Sequence, residues 1–191
     1  MPPAAPANIL IRDTIEADLP ELFRIHVHPM VRLHELPLKE GDTVERWRES
    51  LFETEQAERP WGYRSTTILR GEAVVGQITH IHSEENGQHW CVCGWSLDPE
   101  HWGQGIAVTA VSRLFDVLFD EEGTDWVISS CYSGNDRCVR LMQRLHYEPA
   151  RIGLMYRIRT ANRKRSPRWM KRFLLSADRW RMKTDRRMSA T

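Results

Sequence analysis

Leu97-Asp-Pro-Glu-His-Trp-Gly-Gln-Gly-Ile-Ala107 is the stretch on which the reading of this chain turns. A strand-like apolar run ends at Leu97, a turn-rich connection follows, and Gly103 and Gly105 stand one residue apart where a helix opens. From Ile106 the apolar residues Ala107, Ala110, Val111, Leu114 and Leu118 recur at helical spacing, and Gly123 marks the end. Glycine lets a backbone approach a ligand closely, and the first N–H groups of a helix have no partner within it. With the positive end of the helix dipole, these groups suit a phosphate or pyrophosphate.

The flanking segments narrow the choice of fold. Upstream, Tyr63 to Leu69, Ala73 to His82 and His89 to Leu97 are strand-like. Arg70-Gly71-Glu72 and Asn86-Gly87 supply the hairpin turns of an antiparallel meander. A dinucleotide-binding fold would place its glycines after the first strand of a parallel βαβ unit, and a P-loop would add Lys-Ser/Thr. Neither pattern is present. Asn8 to Arg12 reads as a first strand, and a helix starts at Asp18-Leu-Pro-Glu21 and runs into Leu22, Phe23 and Ile25. A second helix is expected from Asp42-Thr43, with Val44, Trp47, Leu51 and Phe52 apolar. Downstream come a buried-looking strand, Trp126 to Tyr132, a helix from Asn135 to His146 and a last strand region from Tyr147 to Arg159.

Meander, Gly-x-Gly turn, helix, strand and helix, in that order, resemble the GNAT acetyltransferase superfamily. Trp102-Gly-Gln-Gly-Ile-Ala107 matches its Gln/Arg-x-x-Gly-x-Gly/Ala signature at the Gly and the Ala. The segment Asn135-Asp-Arg-Cys138 and its helix resemble the family's second signature, and Ile11-Arg12 followed by Asp18-Leu19 resembles its usual opening. The likeness covers roughly residues 8–159 and is best to the RimJ/RimL-like branch. It implies an α/β (α+β) fold with a mixed, mostly antiparallel central sheet flanked by helices, and acetyl-CoA as acetyl donor, with no metal. Trp102, Gly103, Gln104, Gly105, Ile106 and Ala107 would then wrap the pyrophosphate. Ser96, Leu97 and Asp98 would hold the pantetheine arm where two strands diverge, and Asn135 would bind the same arm.

Departures from the pattern leave the proton chemistry open. Trp102 replaces Gln/Arg, Cys138 replaces Ser/Ala and His146 replaces Gly. Met142 stands where some relatives have an acidic Tyr, and Cys91 near where others have a catalytic Glu. The candidates for proton transfer are therefore His80, His82 and Glu84 (with Glu85) as bases and Cys138 as donor to the departing thiolate. His26, His28, His34 and Glu35 either line the acceptor pocket or are solvated surface residues, and the second reading is the simpler one. The acceptor itself is an amine, either a protein N-terminus or a small molecule, attacked directly in a ternary complex. The competing reading is a non-catalytic CoA-binding or interaction module that works through its tail.

The tail stands apart in charge. The 191-residue chain carries only +1, but residues 160–191 hold eleven basic residues against Asp178 and Asp185, a net of +9. Residues 1–159 hold 16 basic and 24 acidic residues, a net of −8. Ser166 to Met182 reads as a basic amphipathic helix with Trp169, Phe173 and Trp180 on one stripe. It is suited to docking on its own acidic domain, to a homodimer contact, to an anionic membrane surface or to RNA. Residues 1–7 read as a disordered lead without signal-peptide character, and a cytoplasmic location is the default. Cys91 and Cys93, even with His89, do not complete a tetrahedral ligand set at the usual spacing.

Overall fold

The computed structural model describes residues 8–34, 43–53, 62–132, 134–150 and 170–188. Among them, seven strands form one sheet in the order β1-β2-β3-β4-β5-β7-β6. Strands β1 (Ile9–Asp13), β2 (Tyr63–Arg70), β3 (Ala73–Glu85) and β4 (Gln88–Leu97) are antiparallel neighbours, as the meander pattern predicts. Asn86 and Gly87 both take positive φ, 54° and 74°, which is what a tight two-residue hairpin demands of its central positions.

β4 then runs parallel to β5 (Trp126–Tyr132) and shares only three register pairs with it, Trp90–Trp126, Cys91–Val127 and Val92–Ile128. Beyond these pairs the strands carry on to Leu97 and Tyr132 without pairing, so a wedge opens between them. β3 holds β4 through to its end, because Gly76 faces Leu97. A Cβ on Gly76 would stand 2.5 Å from the Ser96 carbonyl oxygen and 2.8 Å from Leu97 Cδ1.

Helices cover both faces of the sheet. On one side lie α1 (Leu19–Val27), the single turn α2 (Pro29–Arg32) and α3 (Val44–Arg48). The Thr43 side chain caps α3 by accepting the Arg46 N–H. The other side carries α4 (Ile106–Asp116), extended by a π-turn over Val117–Glu121, and α5 (Asp136–Arg144). Buried Ile106, Ala110, Val111, Leu114, Phe115 and Leu118 of α4 and its extension pack on Ile68, Ile78, Cys91, Cys93 and Val127 of the sheet.

The basic tail differs from its expected form. Met170–Ser176 is strand β7, inserted between β5 and β6 (Glu148–Pro149), and only Ala177–Met188 is helical, as α6. Phe173 and Leu175 are buried while Arg172, Leu174 and Ser176 between and beside them are half-buried, an alternation of period two that replaces the expected helical stripe. Trp180 is 1% exposed, packs edge-on against Phe115 and donates its indole N–H to Asp116 Oδ1 at 2.9 Å. Residues 1–7, 35–42 and 54–61 lie outside the described residues, as does 151–169, which holds most of the last strand region expected up to Arg159 and the third aromatic residue of the stripe, Trp169.

Candidate active site

The wedge at the end of β4 becomes a cleft of about 320 Å³. Its walls are the β4 end at Trp95, Ser96 and Leu97, the glycine loop with the first turn of α4, and one face of α5. Val31 and His34, at and just past α2, also line it. A short 3₁₀ turn, Pro99–His101, leads in, with the Asp98 side chain accepting the Glu100 N–H at its start. Gly103 and Gly105 then adopt φ of 77° and 79°, left-handed conformations that side chains disfavour. Gly105 caps α4, which leaves the first N–H groups of the helix facing the cleft.

Trp102 contributes its side chain as well as its backbone. The indole N–H donates to the Leu97 carbonyl at 2.7 Å, tying the loop to the strand end. The Arg137 guanidinium lies over the same ring, 4.6 Å from its centroid. Asn135 caps α5 by accepting the Cys138 N–H at 3.1 Å. Arg137, Arg140 and Arg144 line the cleft from α5, giving an acidic globule a locally basic wall. These arginines are absent from the sequence-based candidates, yet their i, i+3, i+7 spacing puts them on one side of a helix and marks the stripe.

Of the expected ligand-binding residues, Ser96, Leu97, Trp102, Gly103, Gly105, Ile106, Ala107 and Asn135 converge on the cleft. Gln104 does not line it: its amide accepts from Arg70 and donates to the Glu100 carbonyl. Asp98 is turned into the fold, where its N–H bonds the Val75 carbonyl and its buried carboxylate pairs with Arg24. Burial raises the Asp98 pKa, and Arg24 with the Glu100 N–H outweighs it, so the carboxylate is held below its ordinary value.

The proton-transfer candidates divide. Cys138 lines the cleft; its hydrogen bond with Cys131, and then burial, push the thiol up, so it keeps its proton at neutral pH. His80 and His82 stand on the α4 face opposite Cys93 and Cys91, and neither lines the cleft. Burial, with lesser contributions from His82 and Arg64, lowers His80 to about 3, far below the range of a physiological base. Glu84 and Glu85 are exposed at the hairpin end, away from the cleft. His34 lines the cleft, whereas the His26 ring packs at a tilt against Trp47, 4.6 Å between centroids, His28 accepts the Met30 N–H, and Glu35 lies outside the described residues. His101 was missed; it lines the cleft with a buried Nδ1 that finds no partner among the described residues.

The wedge and the glycine loop open into one cleft, and sequence comparison identifies the family. A profile of the acetyltransferase (GNAT) domain matches residues 8–148, and the chain belongs to that family. No curated protein matches the sequence closely enough to be paired with it. Solved structures are similar in fold. The spermidine N-acetyltransferase from Vibrio cholerae in complex with CoA and spermine has 15% identity and a TM-score of 0.69, with 91% of this chain and 98% of that chain covered. The ribosomal-protein-S5-alanine acetyltransferase from Vibrio fischeri has 16% identity and a TM-score of 0.69, with 91% and 95% covered. A putative acetyltransferase from T. thermophilus has 20% identity and a TM-score of 0.70, with 96% and 93% covered.

Proposed function

We propose that the chain is an acetyl-CoA-dependent N-acetyltransferase acting on a primary amine by direct transfer in a ternary complex. The observation that carries this reading is the coincidence of the open β4–β5 wedge with the left-handed Gly103/Gly105 loop at the α4 N-terminus. The α4 N–H groups and the basic wall of α5 meet the pyrophosphate and phosphate charge of the donor. The amide-rich arm lies along Ser96 and Leu97 toward Asn135, whose side-chain NH₂ is left to donate once its oxygen has capped α5.

Transfer requires a neutral amine to attack the thioester carbon, expelling the CoA thiolate, with one proton lost from nitrogen and one gained by sulfur. His34, an imidazole on the acceptor side of the cleft, receives the amine proton. The Cys138 thiol, held protonated by Cys131 and burial, is too weak an acid for that step, so the departing thiolate takes its proton from water entering the cleft. The net charge of −8 on residues 1–159 favours a cationic acceptor. Acetyl-CoA should raise the melting temperature, and Gly105→Asp, which puts a β-carbon and a negative charge into the cradle, should abolish the shift while circular dichroism stays unchanged. Thiol release over a panel of amines tests turnover; no shift at millimolar acetyl-CoA would sink the proposal, and a shift without turnover would favour a non-catalytic CoA-binding module.

A further inference from the structure

The two histidines that the cleft leaves unused belong to a group of their own. His80 and His82 of β3 stand opposite Cys93 and Cys91 of β4 in the antiparallel register. Alternate residues share a face, so all four side chains meet beneath α4 and its π-turn. One ligand-capable atom from each of His80, His82 and Cys91 lies within 4.8 Å of the others, and Cys91 Sγ is 3.5 Å from Cys93 Sγ. Both cysteines and His80 are buried, and the His82 side chain is 23% exposed.

Ring orientation adds a second, independent observation. His80 Nε2 is within hydrogen-bond distance of Thr66 Oγ1, at 3.2 Å, while its Nδ1 turns inward to His82 Nε2 at 2.8 Å. His82 Nδ1 faces the Glu122 carboxylate at 3.9 Å. Each imidazole therefore has its outer nitrogen set against an oxygen and its inner nitrogen turned to the other ring, beside Cys91. Metal-ligating histidines are oriented in this way. Glu122 also meets the Arg64 charge at 2.8 Å.

We propose that His80, His82 and Cys91, with Cys93 turned in from beside Cys91 as the fourth ligand, form a closed tetrahedral zinc site that fastens the β3–β4 hairpin under the end of α4. Two imidazoles and two thiolates are a zinc ligand set with no position left for substrate, so the role is structural. Bond lengths of roughly 2.0–2.1 Å to nitrogen and 2.3 Å to sulfur put tetrahedral nitrogens about 3.4 Å apart and sulfurs about 3.8 Å apart. The N–N and S–S separations, 2.8 and 3.5 Å, open by a few tenths of an ångström, Cys91 closes on the two imidazoles from within 4.8 Å, and the Cys93 side chain turns in to complete the set. Binding of Zn²⁺ displaces the two thiol protons to solvent with no change of oxidation state, and two thiolates neutralise the ion. The set is invisible to spacing rules because its halves are joined by hairpin register and not by a CxxC repeat. It does not depend on the acetyltransferase reading.

The test uses the full chain, stripped of metal under reducing conditions and titrated with Zn²⁺ against a chromophoric chelator, then with Co²⁺ alone. One zinc per chain, a higher melting temperature and a cobalt–thiolate charge-transfer band with intense tetrahedral d–d bands are expected. Cys91→Ser and His82→Gln should each weaken zinc binding by more than the ~100-fold that loss of a second-shell partner costs, and Cys138→Ser should leave it unchanged. Because Cys91 is in the core, His82→Gln decides the matter if Cys91→Ser does not fold. Absence of the cobalt band, its persistence in His82→Gln, or its loss in Cys138→Ser would overturn the site.

Discussion

Asp18 shows how much one carboxylate organises. It is 3% exposed, receives a two-pronged contact from Arg12 at 2.6 and 2.8 Å, and accepts the Ile15 N–H and the Thr67 hydroxyl. Burial raises its pKa, but Arg12 and the other donors outweigh burial and hold it below 3.8. A depressed carboxylate stabilises the fold above its unfolded pKa, and that contribution is lost as pH falls through the folded value. Asp18→Asn should therefore cost about 2–3 kcal/mol at neutral pH and flatten the loss of stability on acidification below about pH 4. Urea melts over a pH series would read it, and parallel pH profiles for the two proteins would contradict it. The sequence likeness around Ile11-Arg12 and Asp18-Leu19 took in both residues without pairing them, and the pairing is fixed by the fold of the intervening turn. The indole of Trp102 was not legible in the same way, because its partners, the Leu97 carbonyl and Arg137, are fixed only by the folded loop. His146, in place of the usual Gly, takes a φ of 63° after α5, a left-handed position in which histidine is more tolerated than most residues.

Elements whose signals are local were readable from residue pattern alone. The meander strands alternate, the Asn86-Gly87 turn carries its own chemistry, and α4 repeats its apolar residues at helical spacing. β7 was not readable as a strand, because Phe173 and Trp180 also fit a helical stripe and the partner that decides between the periods, β5, lies far off in sequence. His80 and His82 were misplaced for a related reason: the strand was right, but the face it turns to α4 is set by packing. Gly76 belongs to this scale, since it lets β3 follow β4 to the lip of the wedge. Gly76→Ala should cost roughly 1–3 kcal/mol through overpacking against Ser96 and Leu97 and weaken acetyl-CoA binding by shifting the strand end. Thermal melts with and without acetyl-CoA measure both effects, and a variant as stable as the parent would rule the contact out as a constraint.

For the whole molecule, the split between an acidic body and a basic tail takes on a different meaning. Arg179 pairs with Glu148, and Arg181 Nε lies 3.5 Å from Asp120 Oδ1. These pairs are partly exposed and contribute little each. Apolar burial dominates, through Phe173, Leu175 and Trp180. Trp180→Ala should destabilise the protein by about 3–5 kcal/mol, measured by chemical denaturation; a loss under 1 kcal/mol would show that α6 is a loose attachment. Among the described residues β7 is the last strand in chain order, yet it sits inside the sheet, between β5 and β6. On the ribosome, then, β5 presents an unpaired apolar edge until residues 170–176 have left the exit tunnel. The sheet is incomplete until then, and the solubility of the nascent chain over that interval is a matter for chaperones.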